Sequence, residues 1–253
     1  MFIFIVPFRS RQTTNHWDHA CTLLKRTLKS ICNQTNDDFR VLVVCSEVPE
    51  NIELHPQVEF IPMSLPTPTN LQEGRRDAKI KARIGCFYAQ QYNPDFIMSV
   101  DADDLVSNRL VAYTKQHPNQ HGFCFQKGYI YVEGDDRLLL KRQKFHQWCG
   151  TCNIFRADIF DIPGSIEFEY FSDEIIAKTY CLHHNTGVDI MQERGLTMNS
   201  VPFPSAIYSI GNGVNMSAIG KQKLQGKRFL THLKRVLFDY KSITPKIKRE
   251  FSL

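Results

Sequence analysis

The chain has 253 residues, 42% apolar and 23% charged, with a net charge of +5. That is ordinary globular usage, enough for one large core, and it excludes a disordered chain. No apolar run approaches the ~20 residues of a membrane span, and Met1–Val6 is too short for a signal sequence.

Taken in order, strands alternate with helices. Phe2–Val6 is continuously apolar, as a strand buried on both faces should be, and ends in Pro7-Phe8-Arg9-Ser10. Trp17, Ala20, Cys21, Leu24, Leu28 and Ile31 recur at helical spacing. Phe39–Cys45 reads as a second buried strand and Val58–Ile61 as a third; Pro62–Asn70, with three prolines, is a loop. Ala78, Ile80, Ile84, Phe87 and Tyr88 mark a helix that leads into a strand at Phe96–Val100. This order predicts a mainly parallel α/β sheet with right-handed crossovers, whose ligands bind beyond the carboxyl ends of the strands. Pro7–Ser10, Ser46–Glu47 and Asp101–Asp104 fall at such ends and should line one crevice.

The second half reads differently. Gly122–Val132 alternates as one long strand, Gly150–Phe155 as another, Phe171–Leu182 as a helix, and Gly187–Glu193 as a short helix closed by Gly195. Cys149-Gly-Thr-Cys152 is the one CxxC among eight cysteines; without a partner pair it reads as two semi-buried thiols, not a zinc site. Free thiols and the missing signal sequence predict a cytoplasmic protein. From Lys221 to Leu253 ten basic residues oppose two acidic ones, a net +8 that leaves −3 on residues 1–220. The body is therefore not a nucleic-acid surface. In that tail Phe229, Leu230, Leu233, Val236, Leu237 and Tyr240 form a helical stripe, flanked by basic residues and stopped by Pro245. The stripe either docks on the domain or lies on the anionic inner face of a membrane, since both bury the same side chains.

The stretch that carries chemistry is Phe96-Ile-Met-Ser-Val-Asp101-Ala-Asp103-Asp104. Residues i and i+2 of an extended segment share a face, so Asp101 and Asp103 converge while Asp104 points elsewhere. Two close carboxylates repel, and a divalent cation is the usual way to keep both ionised. A bland alternative is an acidic turn capping a helix that begins near Leu105.

These residues resemble the family 2 glycosyltransferases of GT-A fold. Val6-Pro7-Phe8-Arg9 is similar to that family's first strand and nucleotide-contacting turn, and Leu23–Ile31 with Gln34-Thr35 and Phe39-Arg40-Val41 to its first helix and second strand. Asp77-x-x-x-Lys81 matches a position near the base and diphosphate, and Val100–Asp104 matches its DxD motif. The resemblance implies a Rossmann-like GT-A domain over residues 1–220, with a nucleotide-binding half (1–104) and an acceptor half (105–220), and the 221–253 tail apart. It implies sugar transfer from a nucleotide-diphosphate sugar to a glycan or lipid-linked acceptor in cell-surface polysaccharide assembly, with Mn²⁺ or Mg²⁺. Donor contacts would come from Pro7, Phe8, Arg9, Ser46, Asp77, Lys81, Asp101 and Ala102; Asp103, with Asp101, would hold the metal, and Lys81 and Arg9 would add positive field. Where the family has Glu-Asp, this chain has His183-His184. His184 is then a candidate base or third metal ligand, with Asp173 and Glu174 as rival bases, and inversion is expected. The alternatives are a haloacid-dehalogenase-like phosphatase, whose motif belongs on the first strand, a nucleotidyltransferase, which wants a glycine-rich loop after that strand, and an inactive sugar-nucleotide-binding or membrane-adaptor protein.

Overall fold

A computed structural model describes residues 1–50, 52, 55–159, 162–177, 187–213 and 239–253. β1 (Phe2–Pro7) leads to α1 (Trp17–Cys32) and β2 (Phe39–Cys45); β3 (Val58–Pro62) leads through α2 (Leu71–Ala89) to β4 (Phe96–Ser99). β1 pairs in parallel with β2 on one side and β4 on the other, Phe2 lying level with both Phe39 and Phe96. The chain thus winds outward from β1 to β3 and then crosses back to β1's other flank. That reversal opens a crevice at the carboxyl ends of β1 and β4.

Both faces of β1 are buried, which is why its sequence does not alternate with polar residues. Phe2, Phe4 and Val6 pack in one core with Leu24, Leu28 and Ile31 of α1, and Ile3 and Ile5 in another with Ile80 and Ile84 of α2. α2 starts two turns before the apolar periodicity that announced it. Asn70 caps it, accepting the Glu73 N–H at 3.0 Å, while Glu73 reaches back to the Thr69 N–H at 2.7 Å.

The second half supplies β5 (Leu105–Val106), α3 (Leu110–Lys115), β6 (Gly122–Cys124), β7 (Gly128–Val132), β8 (Arg137–Lys141), β9 (Asn153–Arg156), α4 (Asp173–Ala177), α5 (Gly187–Glu193), β10 (Asn199–Ser200), β11 (Ala206–Ile210), β12 (Tyr240–Ser242) and α6 (Pro245–Phe251). Among the described residues these build a mixed α/β molecule. One sheet has the order β10-β6-β9-β4-β1-β2-β3, and a smaller one β12-β8-β7-β11-β5. β9 runs antiparallel to both β4 and β6, so the large sheet is mixed: parallel from β4 to β3 and again between β6 and β10.

The stretch expected as one strand, Gly122–Val132, is two strands in different sheets. β6 is buried throughout rather than alternating, and the chain turns before β7, where Phe145 packs so closely that a Cβ on Gly128 would lie 2.5 Å from its ring. The tail is also corrected. Tyr240 is not on a helical stripe but in β12, opposite Leu139 of β8. Pro245 does not stop a helix; it opens α6, where its missing N–H is harmless, behind the Thr244 cap. Phe251 is 1% exposed in a core with Leu105, Leu138 and Ile207. Glu250 accepts from Ser107 Oγ at 2.7 Å and Arg109 Nη2 at 2.7 Å. Residues 239–253 therefore belong to the domain, while the rest of the stripe, Phe229–Leu237, lies outside the described residues. No helix among the described residues is long and apolar enough to cross a membrane.

Candidate functional site

The acidic stretch is the corner where the chain leaves one sheet for the other. Val100 donates its N–H to the Ile5 carbonyl at 2.8 Å, extending the strand edge; the Asp101 N–H goes to Thr151 Oγ1 at 2.9 Å. The Asp104 N–H returns to the Asp101 carbonyl at 3.0 Å and closes the turn. Leu105 then pairs with Ile207 of β11. No helix begins at Leu105, so the carboxylates cap nothing, and the bland alternative falls.

The three carboxyl groups part company, but on a turn rather than on the extended backbone that the spacing argument assumed. Asp104 is fully buried: its Oδ1 accepts the Ser209 N–H at 3.1 Å and its Oδ2 the Cys149 thiol at 3.1 Å. Asp101 stays open to water yet has protein packed around its carboxyl group. Burial, and then the charge of Asp103, push its pKa up to about 7. Asp103 is half-buried; burial raises its pKa, opposed by a hydrogen bond from Asn212 Nδ2 at 2.9 Å and by the charge of Arg9. Cys149 and Cys152 are fully buried, not semi-buried, and burial raises both thiols, which makes them structural and unreactive. Gly150 between them lies close to Asp101: a Cβ there would sit 2.5 Å from Asp101 Oδ2, so the carboxylate would have to shift.

Two neighbouring carboxylates whose ionisation is disfavoured by burial and by each other fit a hard divalent cation, which would stabilise both charges. Among the described residues no group of three His, Cys, Asp or Glu side chains surrounds a single point. His184 lies outside the described residues.

The other expected donor contacts divide. Arg9 faces Asp103, whose charge counters the lowering of its pKa by burial. Phe8 is core, 2% exposed and 5.2 Å from the Trp17 ring. Lys81 does not present charge to the crevice: it is fully buried, donating to the Phe8 carbonyl at 2.9 Å and to Asp77 Oδ2 at 2.8 Å. The Asp77–Lys81 pair braces the turn after β1 from beneath, and Asp77 pairs inward rather than with its neighbours Arg75 and Arg76. Ser46 is half-buried just past β2, beside Glu47, which ties the two strand ends by accepting from Ser10 Oγ at 2.9 Å and the Arg11 N–H at 3.1 Å. Pro7 closes β1 level with Val44 of β2, and Ala102 is half-buried against the main core. Asp173 is 93% exposed and paired with Arg76 at 3.1 Å, on α4, with exposed Glu174 next to it.

Sequence reasoning missed Asn212. The signal was Gly211-Asn212-Gly213 directly after the apolar β11. Both glycines adopt positive φ (75° and 78°), so this turn swings the Asn212 amide onto Asp103.

No protein-family model matches the chain, and no curated protein matches it significantly. Among solved structures, it is similar to S. aureus TarS 1–349 in complex with UDP-GlcNAc (TM-score 0.46, 14% identity, 86% of this chain and 60% of that one). It is similar also to a longer S. aureus TarS (TM-score 0.48, 12% identity, 93% of this chain and 42% of that one). A third likeness is to the Francisella tularensis 2-C-methyl-D-erythritol 4-phosphate cytidylyltransferase IspD (TM-score 0.46, 12% identity, 88% and 97%). The chain thus spans 60% or less of the TarS structures it resembles. At TM-scores below 0.5 these likenesses decide nothing about what this chain binds or does.

Proposed function

We propose that the chain is a GT-A glycosyltransferase that moves a sugar from a nucleotide-diphosphate sugar to a glycan or lipid-linked acceptor. The observation that carries the reading is the paired Asp101 and Asp103, faced by Arg9, at the carboxyl ends of β1 and β4, where the strand order reverses. Asp103, with Asp101, would hold Mn²⁺ or Mg²⁺. When bound, such a cation supplies Lewis-acid stabilisation of the leaving diphosphate. Arg9 adds positive charge on the same side, in a recess where water competes less than at an open surface. Pro7 and Ser46, at adjacent strand ends, frame the nucleotide, and the Asp77–Lys81 pair keeps that frame rigid. The acceptor hydroxyl needs a base. Asp173 is tied to Arg76 at the surface, so we assign the base to His184, whose imidazole has an unperturbed pKa near 6.5. The +8 charge of residues 221–253 supports contact with an anionic membrane surface carrying a lipid-linked acceptor.

The test is nucleotide release from a panel of sugar nucleotides with Mn²⁺, with and without EDTA. Release from one donor, lost with EDTA and in Asp103→Asn, is the expected result. Pyrophosphate release from a nucleoside triphosphate would indicate nucleotidyl transfer, and phosphate release from phosphomonoesters a phosphatase. His184→Ala should lower turnover with little change in nucleotide affinity if His184 is the base; a joint loss of Mn²⁺ and nucleotide affinity would make it a ligand instead.

A further inference from the structure

One face of α1 is wired to the acidic corner. His19 and Arg26 are seven residues apart, about two helical turns, and so share a face. Arg26 pairs with Glu133 through two contacts of 2.9 and 3.0 Å and reaches Ser209 Oγ at 3.4 Å. Ser209 donates its backbone N–H to Asp104. His19 Nε2 lies 2.7 Å from the Asn212 carbonyl oxygen. A carbonyl oxygen only accepts, so Nε2 carries the proton. Asn212 then donates its amide to Asp103 Oδ2 at 2.9 Å. Two hydrogen-bonded chains therefore run from α1, through β11 and the turn after it, to consecutive carboxyl groups.

The two chains differ in stiffness. Ser209 is inside β11, where the pairing of Ser209 with Tyr131 on β7 already fixes its backbone. Asn212 lies beyond the strand, between two glycines at positive φ, where the backbone has more freedom for an outside hydrogen bond to remove.

We propose that His19 is a positioning residue: by holding the Asn212 carbonyl it aims the Asn212 amide at Asp103 and orients that carboxylate for the donor's cation. The inference rests on Asp103 being a donor-side ligand, as argued above. His19 is exposed on the first turns of α1, so its replacement leaves the fold intact. One such hydrogen bond is worth a factor of about two to about ten in the affinity it supports.

The experiment uses the full chain and Mn²⁺ alone, its binding read from the free aquo-ion signal in electron paramagnetic resonance, with a melting curve for every variant. His19→Ala should weaken Mn²⁺ binding by about twofold to about tenfold at unchanged melting temperature. His19→Gln, whose amide can donate to the same carbonyl, should recover most of that loss. Asn212→Ala should weaken binding, and adding His19→Ala to it should cost nothing more, because His19 acts only through Asn212. Wild-type affinity in His19→Ala, failure of His19→Gln to rescue, or losses that multiply independently in the double variant would each overturn the proposal. Asp103→Asn separates the two layers. Should it lose Mn²⁺ while His19→Ala keeps it, only the His19 assignment fails. Should the wild type itself bind no Mn²⁺, or Asp103→Asn bind it equally well, the donor-side reading fails and takes this one with it.

Discussion

Replacing Asp103 by Asn should stabilise the metal-free protein and abolish its response to Mn²⁺. Asp101 has its pKa raised from 3.8 to about 7, first by burial and second by the charge of Asp103. The folded state then holds protons more tightly than the unfolded chain, so stability falls as pH rises from about 4 to about 7 and is level above that. A rise from 3.8 to about 7 corresponds to ~4 kcal/mol at most. The Asp103 charge is the lesser cause, and Asp101 keeps contact with screening water, which brings the part removed by the substitution to about 1 kcal/mol. Asn keeps an oxygen for the Asn212 amide; Arg9 loses the charge it faces, but at Asp103 burial outweighs that attraction, since its own pKa is raised. In metal-free buffer at pH 8, Asp103→Asn should therefore melt about 2–4 °C above the wild type, and the gap should close toward pH 5 as Asp101 takes up its proton. With Mn²⁺ at a hundredfold excess over Kd, the wild type should gain ~2.7 kcal/mol and the variant nothing. Circular dichroism melts at both pH values, with EDTA and with Mn²⁺, read all four arms. A variant less stable than the wild type at pH 8 without metal, or one that keeps the Mn²⁺ response, would refute the electrostatic account.

Other perturbations probe the frame. Lys81→Met leaves Asp77 half-buried without its cation, and should cost about 3–5 kcal/mol in urea unfolding; a loss below 1 kcal/mol would mean the pair does not brace the turn. Phe251→Ala should cost about 3–5 kcal/mol, which a thermal melt would detect easily, and an unchanged melting temperature would detach α6 from the domain. Asp173→Ala should change stability by under about 1 kcal/mol, because the Arg76 pair is exposed, and should leave turnover intact; a collapse of turnover would move the base from His184 to Asp173.

Much of the first half was legible in the sequence, because its determinants are local. A strand buried on two faces must be continuously apolar, and a helix on one face must repeat every 3.6 residues, so Phe2–Val6, Trp17–Ile31 and Phe39–Cys45 announce themselves within a few residues of the observed bounds. That Asp104 parts from Asp101 and Asp103 was expected from extended backbone, yet residues 101–104 form a turn, so the geometry that separates them is not the one the spacing suggested. What escaped were features set by partners distant in the chain. Gly122–Val132 alternates throughout, and nothing in that period says that the two ends belong to different sheets. Lys81 reads as a cation beside the donor's diphosphate until the Phe8 carbonyl, seventy-three positions away, is found over its amine. Gly211-Asn212-Gly213 marks a turn in the sequence, but nothing local says that the Asn212 amide meets Asp103, 109 residues upstream. The sequence by itself determined which segments are buried strands and helices and where the carboxylates leave the sheet, since those depend on period and composition. Tertiary structure decided which of those carboxylates is braced inside and which faces water, and which cations reach them, because burial and charge pairing are properties of side chains that meet only when β11, α1 and the acidic corner are folded together.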